Sequence, residues 1–139
     1  MVPKMIIKMS RSQVDALLEE ARRGYPIEVC GALFGLISGD EAYIEEVVPL
    51  KNVLKSEVMF QISPEEFLRV LLEHERKGLR HIGFFHSHAG CINPSSIDLK
   101  YMSLWPESIW VIVSHHPEPR VAAYRAINGR LEEVNVHIE

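Results

Sequence analysis

The chain is short of the features that mark several common classes of protein. It has two cysteines, Cys30 and Cys91, far apart and in no C-x-x-C pair. That excludes a disulfide-stapled scaffold, a zinc ribbon and a thioredoxin-type redox site. Positive charge is scarce: 15 Lys and Arg stand against 19 Asp and Glu, a net charge of −4, with no basic run. A nucleic-acid partner is therefore not expected. No apolar run reaches the length of a membrane span, and the lysine-dotted stretch from Met1 to Met9 has no apolar core for a signal peptide. A membrane partner is not expected either, and the expected location is cytoplasmic. No internal repeat or low-complexity segment interrupts the chain.

What is present reads as ordinary folded material. The chain has 139 residues, 47% hydrophobic and 24% charged, which predicts one domain over 1–139 with a proper core. Val14, Leu17, Leu18 and Ala21 recur at helical spacing after Ser10, and Gly24 and Pro26 close that helix. Val29 to Ile37, Ala42 to Leu50 and Ile109 to Val113 read as strands, with a further short strand over Val58 to Ile62. Ser63-Pro64 opens a second helix with Phe67, Val70, Leu71 and His74 on one face, and Gly78 ends it. Val121 to Ile127 and Leu131 to Ile138 form a hairpin around Asn128-Gly129, with Val134, Val136 and Ile138 facing in and His137 facing out. A third helix runs from near Ser95 to about Leu104. The sum is a mixed α/β domain of the α+β type, a mostly antiparallel sheet with about three helices.

The chemistry gathers where the strand from Leu79 ends, in Gly83-Phe84-Phe85-His86-Ser87-His88, followed by Ala89 to Pro94 and by Ser95-Ser96-Ile97-Asp98. Alternation along a strand puts His86 and His88 on one face. Two imidazoles there and a carboxylate from Asp98 across the loop make three ligands of a tetrahedral zinc with a fourth position free for water. Each half also has a plain structural reading. Seven His make a chance His-x-His unremarkable, and Ser95-x-x-Asp98 is also a capping box. Such a site needs a base. Glu28 stands where the loop Gly24 to Ile27 becomes an apolar run, a costly place for a carboxylate unless it is paired or working. A helix cap or a surface ion pair remains its other reading.

Together these residues resemble the motif of the JAMM (MPN+) metalloproteases: an upstream Glu, then H-S/T-H, then S-x-x-D. Glu28-Val29-Cys30-Gly31-Ala32-Leu33-Phe34-Gly35 resembles the E-x-C-G-L-L-x-G strand of that family. Asn52, Phe60 and Ser63-Pro64-Glu65-Glu66 resemble its middle segment, and Gly83-Phe84-Phe85 resembles its lead-in to the histidines. The resemblance runs from about Met9 to Arg125 and is to the small prokaryotic and archaeal members. It implies an MPN fold, a cytidine-deaminase-like sheet flanked by helices. It implies one Zn²⁺ per chain on His86, His88 and Asp98, with Glu28 as general base and Ser95 as hydrogen-bond donor to the oxyanion. The implied partner is a ubiquitin-like protein or its conjugate, and the implied reaction is hydrolysis of the amide between its C-terminus and a lysine. The alternatives are a peptidase acting on the C-terminal adduct of a ubiquitin-like sulfur carrier, and a catalytically silent MPN scaffold.

Two departures from the family pattern bear on the site. Six residues, Ala89 to Pro94, separate His88 from Ser95 where seven are usual, and Ala89 replaces the usual Pro. The shorter loop bears on Ser95 more than on the ligands. Cys91 in this loop reads as a small semi-buried residue, or as a disulfide partner of another chain or of Cys30. The oligomeric state is open, a homodimer included. His115 or His116 as a ligand is a further reading, limited to one of the two because neighbours on a strand face opposite ways. No insertion follows Asp98, so the substrate groove is expected to be open, with the Val58 to Ile62 strand as the edge that takes an extended tail.

Overall fold

The computed structural model describes residues 4–139. Ile6–Met9 forms strand β1, its residues alternately half-exposed and buried. Ser10 caps helix α1, Arg11–Gly24, through a reciprocal pair with Gln13: Ser10 Oγ accepts the Gln13 N–H at 3.1 Å, and Gln13 Oε1 accepts the Ser10 N–H at 2.9 Å. The stripe of α1 buries Val14, Leu17 and Ala21. Strands β2, Cys30–Ser38, and β3, Glu41–Leu50, turn around Gly39 at φ +61°. Helix α2, Pro64–Arg76, is capped by Ser63, and β4, Arg80–Ser87, follows it. Helix α3, Ser96–Leu104, precedes β5, Ile109–Ser114. The chain ends in β6, Arg120–Ile127, and β7, Arg130–Ile138. Asn128 and Gly129 between them both have positive φ, as a type I′ turn requires.

Among the described residues, three helices and seven strands make a mixed α+β fold, but the sheet is not open. It runs β1-β3-β2-β4-β5-β6-β7 and closes, because β1 pairs in parallel with β3 on one side and with β7 on the other. The expected sheet flanked by helices is thus corrected to a closed barrel. Pairing of one four-residue strand with two partners lies between residues remote in sequence, which no local pattern records. The predicted strand over Val58 to Ile62 is likewise absent: this segment has no regular structure. Asn52 organises it instead, its amide donating to the carbonyls of Glu28 and Met59 and its oxygen accepting the N–H groups of Leu54 and Gln61. Ile138, expected to face in, is 40% exposed, while Val134 is buried.

The two faces of β4 belong to different cores. Phe85 joins Val14, Leu17, Ile7, Val111 and Val113 on the α1 side. Phe84 joins Met102 of α3 with Trp110, Ile112 and Tyr124 on the other. Strand alternation therefore carries His86 and His88 to the α3 side. Gly83 makes this possible, since a Cβ there would collide with the Ile109 carbonyl of the parallel strand β5. Among the described residues, no helix is long and apolar enough to cross a membrane.

Candidate active site

Four polar side chains that the sequence singled out meet at the end of β4. His86 is fully buried and His88 partly so, and their Nε2 atoms lie 3.1 Å apart. Asp98 opens α3 and reaches both rings: its Oδ1 is 3.2 Å from His86 Nε2 and its Oδ2 2.9 Å from His88 Nε2. The Glu28 carboxylate comes from the other side and shares a 4.8 Å sphere with the ligating nitrogens of both histidines. Glu28 is 4% exposed, and its Oε1 is buried without a hydrogen-bond partner. It is neither a helix cap nor a surface ion pair.

Local structure pins each group. The Glu28 backbone donates its N–H to the Ser56 carbonyl at 2.8 Å and accepts from the Asn52 amide at 2.9 Å. The next N–H, of Val29, donates to Ser87 Oγ at 2.8 Å. The serine between the two histidines therefore fastens the Glu28 segment beside them, a role that no sequence pattern announced. Asp98 and Ser95 form a capping box: the Ser95 N–H donates to Asp98 Oδ2 at 2.9 Å, and the Asp98 N–H donates to Ser95 Oγ at 3.0 Å. The capping reading of this pair is thus what the structure shows, and the same Asp98 carboxylate reaches both histidines. His88 Nδ1 donates to the Cys91 carbonyl at 2.8 Å, which fixes the ring so that Nε2 faces Asp98 and His86.

The site is largely buried, and its ionisation reflects that. Burial raises the Glu28 carboxyl to about 7, partly offset by the charge of His88 and reinforced by that of Asp98. Burial pushes His86 below its ordinary value. Burial acts the same way on His88, but its bonds to Asp98 and the Cys91 carbonyl outweigh it and raise the imidazole. Burial also opposes ionisation of Asp98, yet hydrogen bonds from both histidines hold it well below the usual carboxylate range. Two imidazole nitrogens and an ionised carboxylate, converging with a fourth, unpartnered oxygen alongside, fit a zinc ion.

The other candidates lie apart. His115 and His116 pack on Tyr25, with ring centroids 5.0 and 5.7 Å away. Cys30 and Cys91 are both free thiols; Cys30 is buried and Cys91 exposed. Burial drives the Cys30 thiol to about 12, which removes it as a nucleophile. Phe60 stacks on the His86 ring at 4.8 Å. Beside it an apolar groove of about 450 Å³ runs between α2 and α3, over Phe84 and Trp110 and along Phe67 and Trp105.

The family described as prokaryotic homologs of the JAB domain matches residues 10–127. The chain belongs to this JAB/MPN family. The JAB domain is similar to a desampylase of Pyrococcus furiosus, 39% identical over 114 residues that span 81% of this chain and 77% of the relative. A desampylase of Haloferax volcanii is 32% identical over 131 residues, 90% of this chain and 91% of the relative. A CysO-cysteine peptidase of Mycobacterium tuberculosis is 29% identical over 128 residues, 90% and 86% of the two chains. The solution structure of DSY2949 from Desulfitobacterium hafniense superposes with a TM-score of 0.87 at 28% identity, covering 96% of this JAB domain and 93% of that protein.

Proposed function

We propose that this JAB domain, read as one unit over 1–139, is a zinc-dependent isopeptidase that cleaves the amide between the C-terminus of a ubiquitin-like protein and a lysine. The observation that carries this reading is the buried, unpartnered Glu28 oxygen beside the converging His86, His88 and Asp98. The two desampylase relatives support the substrate class.

In this reading His86, His88 and Asp98 hold one zinc. When bound, zinc supplies Lewis acidity to the scissile carbonyl and lowers the pKa of a water toward about 7. Glu28 Oε1 takes a proton from the attacking water and returns it to the departing amine. An acid near 7 suits both transfers, since a base must be ionised before the step and an acid protonated after it. Ser95 Oγ already accepts the Asp98 N–H, so its own hydrogen is free to meet negative charge developing on the carbonyl oxygen. The apolar groove beside Phe60 takes the extended tail that precedes the scissile bond.

A second reading keeps the residues and changes the leaving group. Similarity to a CysO-cysteine peptidase favours a sulfur carrier bearing a C-terminal amino acid as substrate. The test offers the zinc-loaded chain a ubiquitin-like carrier protein in both forms, a lysine isopeptide and a C-terminal cysteine adduct. Cleavage of the isopeptide, lost on chelation and restored by zinc, is expected. Cleavage of the adduct alone supports the second reading. Neither cleaved, with one zinc per chain bound, leaves the silent scaffold.

A further inference from the structure

The loop between the two halves of the site is held from outside itself. From Gly90 to Asn93 every residue is tied down. The Gly90 carbonyl accepts from Arg120 Nη2 at 2.8 Å. The Cys91 carbonyl accepts from His88 Nδ1 at 2.8 Å. Ile92 packs against the cluster of Phe84, Trp110, Ile112 and Tyr124. Asn93 Oδ1 accepts from the Tyr124 hydroxyl at 3.4 Å, and its N–H points at Cys91 Sγ.

Two of these anchors, Arg120 and Tyr124, come from one face of β6. Arg120 and Tyr124 are four residues apart on that strand, with Ala122 between them against the same cluster. Their row therefore lies on the side of the sheet that carries His86. Arg120 pairs with Ser114 at the end of β5, and the His88 N–H bonds the Val113 carbonyl one residue earlier. The loop thus crosses the end of β5 from His88 to the β6 platform. Arg120 is half-buried, its Nε has no partner, and the one hydrogen bond of its guanidinium among the described residues goes to the Gly90 carbonyl. A charged guanidinium donating to a backbone carbonyl is a strong, directional tether.

We propose that Arg120, seconded by Tyr124, is a positioning residue for the metal site. It fixes the loop so that the Cys91 carbonyl meets His88 Nδ1–H, and this bond sets which His88 nitrogen offers its lone pair inward. Ligating histidines depend on such a partner on their second nitrogen, and its loss weakens metal affinity by about 10- to 100-fold. The same tether sets where the loop delivers Ser95 and Asp98. The inference rests on the zinc reading above and adds a residue that touches neither metal nor substrate.

The test is cobalt titration of the metal-free chain, read by competition with a chelator and by the visible ligand-field band. Arg120→Ala is expected to bind cobalt about tenfold more weakly than wild type and with an altered band. Its melting temperature without metal should move by only a few degrees. Arg120→Lys, which keeps a charged donor, should recover most of the affinity. Arg120→Ala that binds cobalt within about twofold of wild type, with the same band, overturns the proposal. If Arg120→Ala does not fold, Tyr124→Phe reads the same platform: weaker binding sustains it and unchanged binding overturns it. A wild-type chain that takes no cobalt overturns the zinc reading, and this inference with it.

Discussion

Glu28 shows how much one side chain reports about a site. Its burial costs stability wherever it must ionise. Its folded value of about 7 stands above the ordinary 4.5. Between those two values the folded state holds a proton that the unfolded state has lost. The stability it contributes is therefore complete below about 4.5 and drains away as pH rises through about 7. Glu28→Gln removes this loss. Urea unfolding of the metal-free protein at pH 8 should show the variant more stable by about 2 kcal/mol, after allowing for solvent on the open side. The same variant should lose turnover by about a thousandfold, the scale of a missing general base, while equilibrium dialysis finds zinc still bound. Gain of stability with loss of rate in one substitution separates a working carboxylate from a structural one.

Elements deliver these groups and shape what approaches them. Strand β4 carries His81 as well as His86, and His81 sits among Phe34, Phe67, Phe84 and Trp105 under the groove. Burial pulls its imidazole down to about 4. The unfolded chain takes up this proton near 6.5 and the folded chain only near 4, so stability is lost as pH falls across that window. His81→Phe should flatten the acid side of the stability curve by about 2 kcal/mol, measured by thermal unfolding at pH 7 and pH 4. The groove itself depends on α2 and α3. Trp105 is 42% exposed on its wall. Trp105→Ala should raise KM for a conjugate about tenfold with kcat nearly unchanged, since the tail is bound equally in ground and transition states. A fall in kcat of the same size would place Trp105 in the chemistry instead.

The whole molecule hangs together through β1. Ile7 is fully buried in the α1 core, and its strand joins β3 to β7. Ile7→Ala should cost about 3 kcal/mol in urea unfolding, with fluorescence and circular dichroism still changing together. Two separated transitions would show that the β2-β4 region and the β6-β7 hairpin do not fold as one. Closure also sets what the short loop after His88 meets. With the barrel shut, β6 is fixed two strands from β4, and its Arg120 and Tyr124 meet the loop wherever His88 leaves it.

The sequence by itself determined the elements whose signals are local. Ser10, Ser63 and Ser95 marked three helix starts, Asn128-Gly129 marked the hairpin, and the spacing of His86, His88 and Asp98 placed three polar groups on one face across one loop. Glu28 was legible because a carboxylate entering an apolar run is anomalous without any structure. Tertiary structure alone decided the rest. Closure of the sheet through β1, the irregular path of Val58 to Ile62 around Asn52, the bond from Val29 to Ser87 and the grip of Arg120 on Gly90 each join residues distant in the chain. Periodicity and capping record what a residue does with its near neighbours. A buried polar group takes whichever partner the packed fold brings within reach, and that partner is set by the fold as a whole.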